Sequence, residues 1–106
     1  MIYDSIIAIK EFENDNNIVN KEGQFFVAHV TAFINNACVF CGNIDCMLSY
    51  DFGYEQYSIT IDWLLGEKSI KEKGLHGAYN TNFQDFIYDG NELKIIDKNT
   101  EIIISL

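Results

Sequence analysis

The chain has 106 residues, of which 48% are apolar and 14% aromatic, so it is long enough for a single domain, residues 1–106, with a buried core. Its formal net charge is −9 and it contains no arginine, which argues against nucleic-acid binding and against an anionic membrane surface. No stretch approaches about 20 apolar residues, and the start lacks the basic segment of a signal peptide. The number of cysteines, three, is odd. We therefore expect a cytoplasmic protein with reduced thiols.

The first part of the chain predicts strands joined by short polar loops. Residues 2–12 are rich in isoleucine and contain few breakers, so we expect a first strand there, followed by a loop over residues 13–17. Ile18 and Val19 are interpreted as a short edge strand. Residues 24–34 are apolar on both faces, and their phenylalanine, valine and threonine content favours a central strand over a buried helix.

Two pairs of turn residues divide the segment that follows. Asn35-Asn36 predicts a turn with residues 37–41 as the hairpin partner. Gly42-Asn43 predicts a second turn before a strand at residues 46–52.

The clearest strand signal lies at residues 57–63, after a break at residues 53 and 54. Apolar and polar side chains alternate there, which is typical of a half-buried strand with Thr60 and Asp62 on the solvent side. Residues 66–74 are hydrophilic and predict either a helical turn or a loop, and residues 75–80 are rich in glycine and irregular.

The C-terminal part predicts a meander of strands at residues 83–88, 93–96 and 101–106. Asp89-Gly90 favours a type I′ turn, and residues 97–100 predict another turn. Residues 81–84 also fit a capping box that would start a short helix, although we favour strand. The whole pattern predicts a mainly β or α+β fold: a bent antiparallel sheet, sandwich or barrel of about seven strands with at most one short helix.

The cysteines form a C-x2-C-x4-C arrangement of Cys38, Cys41 and Cys46, to which His29 or His76 would add a fourth zinc ligand. The residues between the first two cysteines are Val and Phe, which are typical of a strand interior rather than of a zinc knuckle. We therefore interpret the cysteines as core or surface thiols, expect no bound metal or cofactor, and keep a small metal-binding domain as an alternative.

Catalytic patterns are weak in this sequence. His29 lies among apolar residues and is interpreted as a core histidine, and neither a nucleophile elbow nor a phosphate-binding glycine loop is present. The neighbouring carboxylates Asp51 and Glu55, and likewise Asp85 and Asp89, are interpreted as solvated faces. We therefore expect a protein that is not an enzyme.

The remaining candidate is the stretch over residues 22–67, which has no lysine or arginine but contains six carboxylates, the single tryptophan and a cluster of tyrosines. Aromatic rings beside carboxylates are typical of protein-binding surfaces, where rings supply contact area and carboxylates pair with basic groups. A second acidic stretch, residues 74–93, is a reserve candidate. The predicted partner-binding residues are Asp45, Tyr50, Asp51, Tyr54, Glu55, Asp62, Trp63, Asp85 and Asp89.

In its small size, strong acidity and lack of a catalytic motif, the chain resembles bacterial toxin immunity proteins, in particular those of contact-dependent growth inhibition systems. The resemblance implies a cytoplasmic inhibitor whose partner is a basic toxin domain, such as a nuclease, with the active site blocked by the acidic surface. A phage-type inhibitor or DNA mimic is the alternative for the same charge, although Lys68, Lys71 and Lys73 interrupt a phosphate-like track.

Overall fold

One curled antiparallel sheet of seven strands packs against an N-terminal helix, α1 (Ile2–Asp15). The computed structural model describes residues 2–19 and 21–106, with the backbone alone at position 67. The strands are β1 (Phe25–Ile34), β2 (Ala37–Asp51), β3 (Gln56–Ile61), β4 (Ala78–Asn80), β5 (Asp85–Tyr88), β6 (Leu93–Asp97) and β7 (Thr100–Ser105). A second helix, α2 (Glu67–Lys73), joins β3 to β4.

The strand order in the sheet is β4-β3-β2-β1-β7-β6-β5, and every neighbouring pair is antiparallel. The central pair is therefore the long β1–β2 hairpin, and the two edges are β4 and β5. This arrangement confirms the predicted bent antiparallel sheet of about seven strands. The described residues form two helices, one more than expected.

Residues 2–12 belong to helix α1, so the predicted first strand is wrong. The side chains that α1 buries recur at a helical spacing: Ser5, Ala8, Ile9, Phe12 and Glu13. This face packs mainly against β5, where the Ser5 hydroxyl accepts a hydrogen bond of 2.9 Å from the Phe86 N–H. Ile18 and Val19, predicted as an edge strand, lie in the loop after α1.

The turn predicted at Asn35-Asn36 is confirmed, with positive φ angles of 52° and 66°. The turn predicted at Gly42-Asn43 is wrong, because β2 continues through both residues while pairing with β1. A β-bulge interrupts this pairing: Phe33 lies opposite Cys38 but Ala32 lies opposite Phe40, so Val39 is an extra residue on β2.

Trp63 follows β3 and belongs to the core, with 4% of its surface exposed. Its indole N–H donates a hydrogen bond of 2.8 Å to the His76 carbonyl, and its ring packs edge-on against Phe40. The expectation that Trp63 is a surface anchor is therefore wrong. Its position continues the buried face of β3, on which Ile59 and Ile61 also lie.

The hydrophilic segment predicted as a helical turn or a loop forms helix α2, which ends at Gly74 with a φ of 83°. Residues 75–80, predicted to be irregular, include the short edge strand β4. The C-terminal meander of β5, β6 and β7 is as expected, and residues 81–84 form a turn rather than a helix. The turn after β5 is not type I′, because only Gly90 has a positive φ.

Candidate functional site

The turn between β2 and β3 presents two large aromatic side chains to solvent. Phe52 is 85% exposed and Tyr54 is 74% exposed. The Asp51 carboxylate accepts hydrogen bonds from the backbone N–H groups of Gly53, at 2.9 Å, and Tyr54, at 3.3 Å, which holds the turn in place. Glu55 closes the turn with a φ of 50°.

Beside this turn lies a cavity of about 470 Å³, which we call the acidic–aromatic cavity. Its lining residues are Ile6, Lys10, Glu22, Tyr50, Phe52 and Tyr57. The Tyr50 ring packs edge-on against Phe52 and at 51° against Tyr57, with ring centroids 4.7 Å apart in both pairs. These ring contacts hold Tyr50, Phe52 and Tyr57 together as an aromatic wall of the cavity and leave the cavity itself open.

A buried carboxyl group lies next to this cavity. Glu13 is only 3% exposed, and its Oε2 atom has no hydrogen-bond partner among the described residues. Burial, and next the adjacent Glu22 carboxylate, raise the pKa of Glu13 to about 7, while Lys10 acts in the opposite direction. Glu13 therefore changes its charge near neutral pH.

The phenol of Tyr57, in the aromatic wall, lies within the field of both carboxylates. Burial, and next the negative charges of Glu13 and Glu22, raise the pKa of Tyr57. The backbone N–H of Tyr57 donates a hydrogen bond of 3.1 Å to the buried hydroxyl of Thr81, which fixes this part of β3.

This arrangement is suited to a cationic group. Carboxylates attract a cation by charge, and the faces of aromatic rings attract it through their quadrupoles. Lys10 also lines the cavity, but its side chain is exposed and can turn towards solvent when another cation enters. At about 470 Å³ the cavity has ample room for one basic side chain.

Four of the predicted partner-binding residues lie together at the acidic–aromatic cavity and its turn: Tyr50, Asp51, Tyr54 and Glu55. Tyr50 is half-buried, and the other three are exposed. Asp45 and Asp62 are exposed and adjacent to each other, since the Asp62 N–H donates to the Asp45 carbonyl at 2.9 Å. Asp45 lies on β2 six residues before Asp51, so this pair of carboxylates is about 20 Å from the turn.

Asp85 and Asp89 are exposed at the two ends of β5. This strand forms the edge of the sheet opposite to β4. The Asp89 carboxylate accepts hydrogen bonds of 2.8 Å from the backbone of Asn91 and Glu92, which lowers its pKa. Its observed contacts therefore hold the turn before β6. The nine predicted residues do not form one continuous patch.

The sequence pattern does not reveal that Ile6, Lys10 and Glu22 line the cavity from the N-terminal side, nor that Glu13 lies beside it. Ile6, Lys10 and Glu13 fall in segments that the sequence predicts as a strand and a loop, which hides their position on one helix. A usable signal was present, because Ser5, Ile9, Phe12 and Glu13 have helical spacing.

The three cysteines do not converge on one site. Cys38 and Cys41 are exposed, whereas Cys46 is buried on the opposite face of β2, where burial raises the pKa of its thiol to about 12. His29, interpreted as a core histidine, is exposed on β1, so that interpretation is wrong. No group of three or more metal-ligating side chains is found among the described residues.

A larger groove of about 660 Å³ lies between α2 and the ends of β3 and β4. Its lining is mostly apolar, with Phe25, Leu65 and Ile70 among the contributing residues, and Asp62 and Lys71 are its charged members. Those two have opposite charges, and neither is buried. The groove therefore offers surface but no convergent set of polar groups, in contrast to the acidic–aromatic cavity.

In the part of the chain that the structure describes, no helix is long and apolar enough to cross a membrane. Any function assigned to this protein depends on its own geometry and charge. No protein-family model, no curated protein and no solved structure matches the chain.

Proposed function

We propose that this protein binds a basic partner protein at the acidic–aromatic cavity and neutralises it, as an immunity protein neutralises a toxin domain. The observation that supports this most strongly is Glu13, a buried carboxyl group with one unpartnered oxygen, whose charge interacts with Glu22 and Tyr57 of the cavity lining. A lysine or arginine side chain of the partner is the group that this cavity accepts.

The free energy of such binding comes from relief of an unfavourable state. The charged form of Glu13 is costly because it is buried and lies next to the Glu22 carboxylate, to which Glu13 is hydrogen-bonded when protonated. A cation entering between them pairs with both carboxylates and contacts the faces of Tyr50 and Tyr57. The cation also loses its hydration, which favours arginine, the more weakly hydrated of the two basic side chains.

The turn beside the cavity supplies the surrounding contact area. Phe52 and Tyr54 are large, exposed and held by the hydrogen bonds that the Asp51 carboxylate accepts. A central charged contact surrounded by aromatic side chains is typical of the residues that contribute most of the binding free energy in protein interfaces. Glu55 lies at the rim of this surface, where it affects association rate more than affinity.

The charge of the whole chain favours the same class of partner. With a net charge of −9, the protein attracts a basic domain over a distance of about one Debye length and repels an acidic one. Toxin domains that cleave nucleic acid have basic active-site clefts, so insertion of this acidic surface into such a cleft would exclude the substrate.

The test is to search the neighbouring genes for a basic toxin domain, to co-express that domain with this protein, and to measure binding on the purified pair; the absence of such a gene would contradict the immunity function. We expect the wild-type protein to preserve cell growth, and Glu22→Gln to weaken binding by at least about tenfold, as loss of one member of an interfacial charge pair does. Asp62→Asn, which removes an equal charge about 20 Å away, is the matched control.

Four results separate the outcomes. Growth protection with selective loss in Glu22→Gln supports the proposal, as does binding that weakens when sodium chloride is raised from about 50 to about 500 mM. Equal effects of Glu22→Gln and Asp62→Asn would show that net charge alone matters and would contradict the assignment of the cavity. A toxin that kills cells despite co-expression would contradict the immunity function.

A further inference from the structure

The thiol of Cys41 lies within a group of three polar side chains on the outer face of the sheet, away from α1. Its Sγ atom is 3.6 Å from His29 Nε2 and 3.7 Å from the hydroxyl oxygen of Thr31. On the other side of the imidazole, His29 Nδ1 is 3.1 Å from the Asn43 side-chain oxygen. All these distances join β1 to β2, and Cys41, His29 and Asn43 are exposed.

The β-bulge at Val39 brings this group together. On the turn side of the bulge Ile34 pairs with Ala37, and a continuation of that register would place Cys41 opposite Val30, whose side chain is buried. The extra residue shifts the register by one, so Cys41 instead lies opposite Thr31 and on the outer face. A shift of one residue exchanges the two faces of a strand, and bulges commonly redirect a side chain in this way.

The hydrogen bond to Asn43 determines which imidazole nitrogen faces the thiol as an acceptor. Since the Asn43 oxygen can only accept, His29 Nδ1 carries the proton, and Nε2 presents its lone pair to Cys41. Proton transfer from Sγ to Nε2 produces a thiolate that the Thr31 hydroxyl can also stabilise. A base within reach of the thiol and a third group that orients the base form the pattern of an activated cysteine.

We propose that Cys41 is a reactive thiol, activated by His29 and oriented by Asn43, that undergoes exchange with small disulfides. In this step His29 Nε2 takes the thiol proton, and the Cys41 sulfur attacks one sulfur of the disulfide. The S–S bond of the disulfide breaks, a mixed disulfide with Cys41 forms, and the departing thiolate takes the proton from His29. One thiol and one disulfide are consumed and one of each is formed, so the step needs no further oxidant.

The surroundings of this group are open and acidic, which defines the ligands that it accepts. Among the described residues, the other charged or titratable groups on this outer face near Cys41 are Cys38, Asp45 on β2 with the adjacent Asp62, and Glu101 on β7, which pairs with Lys94 at 3.6 Å. Because these and the net charge of −9 repel anions, neutral or cationic disulfides are the preferred substrates. The site lies on the opposite face of the sheet from the acidic–aromatic cavity and does not depend on its function.

The experiment is labelling of the intact protein with bis(2-hydroxyethyl) disulfide, a neutral reagent, with the modified peptides quantified by mass spectrometry. Cys38 is the internal reference, since it is also exposed but, among the described residues, its thiol is hydrogen-bonded to the Phe40 carbonyl alone, at 3.4 Å. We expect Cys41 to react about tenfold faster than Cys38 at pH 7, because His29 is placed to take the thiol proton as the sulfur attacks.

Variants separate activation from simple exposure. His29→Gln keeps a polar side chain of similar size but removes the base, and we expect it to bring the Cys41 rate to within about twofold of Cys38. His76→Gln, which changes the other histidine of the chain, leaves the ratio unchanged. Equal rates of Cys41 and Cys38 in the wild type, or a ratio that persists in His29→Gln, would overturn the proposal.

Discussion

Replacement of Glu13 by glutamine tests the electrostatics of the acidic–aromatic cavity through stability alone. The pKa of Glu13 is about 7 in the folded protein and 4.5 in a solvated chain, and this difference corresponds to a penalty of about 3 kcal/mol once the group is charged. Because the folded state binds the proton more tightly than the unfolded state, stability decreases as pH rises from 4.5 to 7 and is level above about pH 8.

Unfolding is best measured above the isoelectric point of about 4.4, because the protein has little net charge near that pH. Between pH 5.5 and 8.5 we expect the wild-type protein to lose about 2 kcal/mol of unfolding free energy relative to Glu13→Gln. Comparing slopes with pH removes any constant cost of the buried amide. The assay is urea unfolding in reducing buffer, followed by the fluorescence of the buried Trp63.

Glu11→Gln is the matched control, since it removes the same charge from an exposed position on the same helix. Its unfolding free energy should follow the wild-type dependence on pH. If Glu13→Gln and the wild type give parallel curves over this range, Glu13 is not a desolvated carboxyl group. The proposed attraction of the cavity for a cation would then lose its main support.

Three further predictions concern the contacts that build the fold, each measured by urea unfolding at pH 7. Ser5→Ala leaves the buried Phe86 N–H without its acceptor and should cost about 1–3 kcal/mol, whereas a change below 0.5 kcal/mol would show that β5 does not need this contact. Phe12→Ala removes a fully buried ring that packs between Phe26 and Tyr88, and we expect a loss of about 3–5 kcal/mol. Gly90→Ala introduces a side chain at a φ of 95° and should cost about 1 kcal/mol of unfolding free energy. An unchanged unfolding free energy would contradict this and would show that the turn rearranges.

The strands were predictable where turn residues and alternation agree. The Asn35-Asn36 turn has the positive φ angles that asparagine tolerates, and residues 57–61 alternate between buried and half-buried as the sequence indicates. Composition also predicts that Asp51, Glu55, Tyr50 and Tyr54 belong to one surface, and they do lie together at the β2–β3 turn, while their role in partner binding stays a prediction. Local chemistry sufficed for these elements because no distant contact opposes it.

Helix α1 was missed because its isoleucines favour a strand by propensity, whereas its placement is decided by tertiary contacts. Ile9 and Phe12 fill the concave side of the curled sheet, which a strand at the same position would not do. The residues that depend on this helix, Glu13 above all, were missed with it. Similarly, the proximity of Cys41 to His29 depends on a single bulge at Val39, for which the sequence carries no turn or glycine signal.

The most direct test of the central claim, that this cavity receives a cationic side chain, is an NMR titration with N-acetyl-arginine amide. We predict saturable shifts of the ring resonances of Tyr50, Phe52 and Tyr57 that are lost in Glu22→Gln and absent with N-acetyl-glutamine amide as the neutral ligand. Shifts spread equally over carboxylates elsewhere on the surface, such as Asp45, or no saturable shift of the three rings, would contradict the claim.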